Sequence, residues 1–144
     1  MEFDQSMTFV RLLGFELASR DAGQCAVRYA PTADHCNSFH VTHGGILMTL
    51  LDVCMSQAAR SVQTDMGAIT IEMKTTFMRA AKGPLAGHGR LVQRTATLAF
   101  CEAQVHDAQG QLCATASGTF KYVRKLATGA KQVANDAALG DASD

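Results

Sequence analysis

The sequence predicts an α+β domain in which a curved antiparallel sheet wraps around one long central helix. Three observations carry that expectation. The run from Gly44 to Gln63 is apolar on most sides, the pattern of a buried helix. A strand pair precedes it, and a series of strand-like runs broken by turn residues follows it. The last of these runs alternates with period two. Leu112, Ala114, Ala116, Gly118, Phe120 and Tyr122 fall on one face, and Cys113, Thr115, Ser117, Thr119 and Lys121 on the other, as in a sheet with a single core face.

Taken in order, Met7 to Leu13 reads as a short helix closed by Gly14. Phe15–Ser19 and Cys25–Tyr29 read as strands joined by the turn-rich Arg20–Gln24 junction, with Pro31 ending the pair. A loop from Thr32 to Thr42 leads into the central helix, and Asp65-Met66-Gly67 marks its exit. Strands are expected over Ala68–Met78, Leu85–Arg94, Thr97–Asp107 and Gln111–Val123, separated at Gly83-Pro84 and Ala108-Gln109-Gly110. In the first of them, alternation places Ile69, Ile71, Met73 and Phe77 on one face and Thr70, Glu72 and Lys74 on the other. A single domain over residues 1–126 is expected, with 127–144, rich in Ala, Asp, Gly and Ser, as a flexible tail. The Met and Phe side chains are expected in the core.

Composition narrows the function classes. Thirteen basic and thirteen acidic residues among 144 cancel, which removes any broad electrostatic drive toward nucleic acid or an anionic membrane. No apolar stretch approaches the roughly 18 residues of a membrane span, and Met1-Glu-Phe-Asp-Gln5 lacks the basic start of a signal peptide, so a soluble cytoplasmic protein is expected. The five cysteines are odd in number and never in a Cys-x-x-Cys pair, which disfavours a disulfide or zinc framework. His35, Cys36, His40 and His43 fit no familiar zinc spacing either.

The chemistry concentrates between Asn37 and Asp52. From Ile46 to Ala59 the single charged position is Asp52, and desolvating an unpaired carboxylate costs several kcal/mol. Gly44 and Gly45 open the helix, where unpaired N–H groups and the positive end of the dipole can polarise a carbonyl. Asp52 can serve as general base or as nucleophile. Gly44 and Asp52 are eight residues apart, about 12 Å along one helix axis, too far to act on one carbonyl. If both groups work together, Asp52 must come from a neighbouring subunit of a two-fold dimer.

These residues resemble the hotdog-fold acyl-CoA thioesterases, in particular the subgroup of phenylacetate-pathway thioesterases, over roughly Leu12 to Val123. The likeness rests on Asn37 six residues before His43-Gly44-Gly45, on Asp52 eight residues after Gly44, on the Ile69–Lys82 segment and on the closing hairpin of Gly110 with Ala114–Phe120. It implies hydrolysis of an aromatic or medium-chain acyl-CoA to free acid and coenzyme A, without metal or redox cofactor. It also implies a homodimer with shared sites, paired further into a homotetramer. Asn37, His43, Gly44, Gly45 and Asp52 are then site residues, and Thr70 matches a family Ser or Thr that helps hold the attacking water. Nine helical steps turn His43 away from Asp52, so its expected part is in shaping the loop. By strand alternation, Thr70 reaches the site only where the sheet edge meets the partner. Arg79 and Lys82 are candidate contacts for coenzyme A phosphates. Many relatives carry Gly where this chain has His40, and a side chain there is expected to narrow the entrance or alter the loop. A non-catalytic acyl-CoA-binding protein is the alternative. A hydratase fits less well, because no His/Asp pair shares one helix face.

Overall fold

The computed structural model describes residues 1–124, so the tail expected beyond residue 126 lies outside the described residues. The elements run α1 (Thr8–Leu12), β1 (Glu16–Asp21), β2 (Gln24–Tyr29), a 3-10 turn (Ala33–His35), α2 (Gly44–Arg60), β3 (Met66–Phe77), β4 (Leu85–Arg94), β5 (Leu98–Asp107) and β6 (Leu112–Arg124). All six strands form one antiparallel sheet in the order β1-β2-β4-β5-β6-β3, against which α2 packs. The β1–β2 turn has positive φ at both Ala22 and Gly23, 51° and 79°, the hand that matches strand twist in a two-residue hairpin.

The core lies between α2 and the sheet. Leu50, Leu51, Cys54, Met55, Ala58 and Ala59 are buried on the helix, and Val27, Val105, Ala114 and Phe120 are buried beneath them. Each large aliphatic or aromatic side chain so placed contributes roughly 1.5–3 kcal/mol. The alternation read in the last strand holds from Ala114 on, with Ala114, Ala116, Gly118, Phe120 and Tyr122 all buried, but fails at its start, where Cys113 is the extra residue of a bulge and is buried while Leu112 is only partly covered. Tyr122 donates its hydroxyl to the Ala59 carbonyl oxygen at 2.8 Å, tying β6 to the far end of α2. Four of the five cysteines are also core residues. Burial raises the Cys101 thiol to about 12, so it stays neutral and unreactive.

The closest approach is between α2 and β4. A Cβ on Gly89 would lie 2.1 Å from the Cys54 carbonyl oxygen, and one on Gly87 would lie 2.7 Å from Cys54 Sγ. Helix backbone therefore rests directly on strand backbone, which only glycine permits.

Three expectations need correction. The helix ends at Arg60 rather than Gln63, because the Ser61 hydroxyl donates to the Ala58 carbonyl at 2.7 Å and closes the last turn. Nor is α2 buried all round: Gly45 and Met48 are exposed and Thr49, Asp52 and Ser56 only partly covered, a stripe at helical spacing facing away from the sheet. The Met and Phe residues are not uniformly core either. Phe9, Phe39, Phe77, Met48 and Met78 are all exposed.

The loop before α2 is built around Asn37. Its Oδ1 accepts from the Phe39 N–H at 2.9 Å and the Val41 N–H at 3.4 Å, while its backbone N–H donates to the Val41 carbonyl at 2.9 Å. His40 completes the turn at φ 62°, the left-handed region in which glycine is at ease. The loop thus accommodates the histidine by straining it.

Two substitutions test this framework. Gly89→Ala should lose about 3 kcal/mol or more in urea unfolding, since its methyl has no room against Cys54; an unchanged midpoint would contradict the contact. His40→Gly should raise stability by about 1 kcal/mol, and a fall would show that the imidazole makes a contact outweighing its backbone strain.

Candidate active site

The first turn of α2 carries backbone N–H groups that the helix itself leaves unpaired. His43 is the N-cap, with extended ψ of 136°, and its Nδ1 accepts the Gly45 N–H at 2.9 Å. Its carbonyl oxygen takes the N–H groups of Ile46 and Leu47, at 3.0 and 3.2 Å. Among the described residues the Gly44 N–H has no hydrogen-bond partner. The two glycines expected to act alike are therefore different: Gly45 is engaged by the cap, and Gly44 presents the free donor at the positive end of the dipole.

Gly44 lines a cavity of about 370 Å³ together with Asn37, Thr42, Leu47, Phe77 and Arg79, among others. Phe77 comes from the end of β3, and its ring tip lies 3.3 Å from where a Gly44 Cβ would stand. Thr42, 3% exposed, has a hydroxyl with no partner among the described residues. A larger hollow of about 570 Å³ occupies the sheet's other face, among Lys74, His88, Arg90 and Glu102, and shares no residue with this one.

Asp52 lies two turns further along the uncovered stripe of α2. Thr70 of the same chain donates its hydroxyl to Asp52 Oδ1 at 2.5 Å. Burial raises the carboxyl above its ordinary range, and the Thr70 hydrogen bond partly offsets that rise by favouring the anion.

The contact with Thr70 corrects the alternation expected for this strand. Thr70 pairs with Phe120 and Glu72 with Thr119, so Ile71 is an extra residue, a β-bulge. The bulge shifts the phase, and Thr70 points to the helix side, as Met73, Thr75 and Phe77 do beyond it opposite Gly118, Ala116 and Ala114. Thr70 thus meets Asp52 within one chain, with no help from a partner.

The expected site residues fall into two groups. Asn37, Gly44 and Arg79 line the cavity, with His43 and Gly45 at its edge through the cap. Asp52 and Thr70 form the second group and do not line it. Lys82 is exposed and also outside the lining. Asn37 spends its carbonyl oxygen on the loop, which positions the wall beside Gly44. Sequence reasoning missed Phe77 and Thr42. An aromatic in a strand reads as core, and a threonine before a cap reads as loop; only the space left beside Gly44 marks them. Among the described residues no three His, Cys, Asp or Glu side chains group so as to hold a metal ion, and no helix is long and apolar enough to cross a membrane.

Comparison with known proteins agrees with this geometry. Residues 39–114 match the family model of the thioesterase superfamily. A candidate esterase of Pseudomonas aeruginosa is 32% identical over 120 residues, covering 81% of this chain and 89% of that protein. Among solved structures, a conserved protein of Pseudomonas aeruginosa superposes with a TM-score of 0.77 at 30% identity, covering 81% of this chain and 94% of that one. The PaaI protein of the E. coli phenylacetic acid degradation operon superposes with a TM-score of 0.75 at 21% identity, over 83% of this chain and 86% of its own, a likeness of fold. The matched segment spans the end of the loop, the whole of α2 and the strand β3 that carries Thr70 and Phe77; the chain belongs to the thioesterase superfamily and has its hotdog fold.

Proposed function

We propose that this protein hydrolyses the thioester of an aromatic or medium-chain acyl-CoA to the free acid and coenzyme A, at sites shared between two copies of the chain. The observation that carries the proposal is the pairing of an unpartnered N–H at Gly44 with a desolvated carboxylate at Asp52, the two groups that thioester hydrolysis requires. Gly44 N–H receives the thioester carbonyl oxygen and stabilises the charge that builds on it. Asp52 takes a proton from water as water adds to the carbonyl carbon, or itself attacks to form a mixed anhydride. The tetrahedral centre then collapses with loss of the coenzyme A thiolate. In the first route the thiolate takes the proton that Asp52 removed from water. In the second, water cleaves the anhydride to the free acid, regenerating Asp52 and supplying the proton of the thiol.

Thr70 fixes the carboxylate in position, and its bond to Oδ1 leaves Oδ2 for water. The two groups are about 12 Å apart along α2, so a second chain with its helix antiparallel to the first brings each Asp52 to the other's Gly44. The stripe of Gly45, Met48, Thr49, Asp52 and Ser56 left uncovered by the sheet is the surface through which this is arranged. Arg79, which lines the cavity, is the cation assigned in this reading to a phosphate of the coenzyme.

Asp52→Asn tests the chemistry and the electrostatics together. Thiol release from acyl-CoA should fall by about 10³-fold, while the oligomer stays folded. Because folding raises the Asp52 pKa, its proton is held more tightly in the folded state. The resulting stabilisation is complete below the unfolded pKa and is lost as pH rises through the folded one, so at neutral pH the ionised group costs stability. Asp52→Asn should then melt higher than the wild type at pH 7, with no gain at pH 3. Wild-type activity should decline as pH falls through a value above the usual ~3.9 of aspartate. Near-normal turnover by the variant would refute the assignment, and tight acyl-CoA binding without thiol release by the wild type would instead favour a binding protein.

A further inference from the structure

We propose that Phe77 is the specificity-determining residue of this site, the surface on which the acyl carbons next to the thioester carbonyl rest, and that it restricts the enzyme to acyl groups flat or unbranched at that position. The assignment rests on the thioesterase reading above. Phe77 is 50% exposed and lines the cavity. An aromatic ring left half uncovered beside an unpartnered N–H presents an apolar face and a single donor side by side. Those are the complements of a carbonyl oxygen and the carbons attached to it. The pantetheine arm is a poorer fit, because its amides need polar partners that a phenyl ring does not supply.

Geometry gives the assignment its sharpness. A carbonyl oxygen held by the Gly44 N–H stands about 2.9 Å from the nitrogen, and the first acyl carbon is two bonds further on. With the ring tip 3.3 Å from the Gly44 Cβ position, the ring stands within reach of that carbon. The backbone that carries the ring is held in place. The backbone of Phe77 pairs with Ala114, and the next two N–H groups, of Met78 and Arg79, both donate to the Cys113 carbonyl at 2.8 and 3.2 Å. A planar group such as a benzoyl ring can lie against the phenyl face in an offset stack. A quaternary carbon bearing three methyl groups has no flat side to lay against the ring.

The test compares benzoyl-CoA with 2,2-dimethylpropanoyl-CoA in the wild type, Phe77→Ala and Phe77→Leu, the leucine keeping an apolar side chain should the alanine variant fold poorly. Thiol release gives kcat/KM for each substrate. Calorimetry gives Kd for the two matching ketone analogues, in which a methylene separates carbonyl from sulfur and hydrolysis is impossible. The wild type should prefer benzoyl. Phe77→Ala should reduce that preference roughly tenfold or more, by losing benzoyl while leaving or improving the branched substrate, with Phe77→Leu between. The analogues should show the same change in their Kd ratio. An unchanged ratio, with both substrates falling together or neither falling, would overturn the assignment while leaving the thioesterase reading intact. Discrimination between the analogues that depends on Phe77, without thiol release, would uphold the assignment and sink the hydrolytic reading. Failure to bind either analogue would overturn both.

Discussion

The contact between the Cys54 carbonyl and the Gly89 backbone fixes how α2 sits on the sheet, and most of the architecture follows from it. At 100° per residue, Asp52 is turned about 160° from Cys54, so a helix pinned to β4 through Cys54 carries Asp52 away from that strand. Leu50, Leu51, Met55 and Ala58 go into the core, and Gly45, Met48, Asp52 and Ser56 stay outside. A side chain at Gly87 or Gly89 would lift the helix and loosen this choice. The glycines of β4 thereby decide which face of α2 remains open to a ligand or a second chain.

The uncovered stripe has a second constraint at its middle. A carboxylate there is partly desolvated even within one chain, and the structure answers with a hydrogen bond from Thr70. That donor reaches the helix only because the Ile71 bulge shifts the phase of β3. The same bulge leaves Met73, Thr75 and Phe77 on the helix side, so one inserted residue orients both the Asp52 partner and the ring beside Gly44. Bulges are common where a strand must re-aim a side chain, and here one serves two points about two helical turns apart.

Much of this was legible in the sequence. The succession of hairpin, helix and four strands, the alternation from Ala114 to Tyr122, and the start of α2 at Gly44 all emerge from periodicity and turn residues, because burial on one face imposes those patterns locally; the pairing of β3 with β6 instead of with β4 does not. What the sequence hides is non-local. The bulge at Ile71 cannot be seen from β3 alone, since it is defined by the partner register on β6. The role of Gly87 and Gly89 depends on what lies above them, and Phe77 looks like any strand aromatic until the gap at Gly44 appears. The distinction between Gly44 and Gly45 likewise needed the His43 cap. His40 shows the opposite case: the departure from glycine was plain, and the structure reveals that it is tolerated through a left-handed backbone rather than a rebuilt loop.

The central claim is that the Gly44 amide and the Asp52 carboxylate of one chain serve different sites. Gly44→Pro removes the donor N–H and sets the proline ring against Phe77, disabling the Gly44 half of the site without touching Asp52; proline is favoured at the first helical position, and the extended ψ of 136° at His43 suits a residue before proline. Gly44→Pro and Asp52→Asn homodimers should each be inactive. Unfolding the two variants together in equal amounts and refolding them makes about half of the dimers mixed, each with one intact site, so about a quarter of wild-type thiol release should return. No activity above that of the separate variants, despite mixed dimers being present, would contradict the shared site.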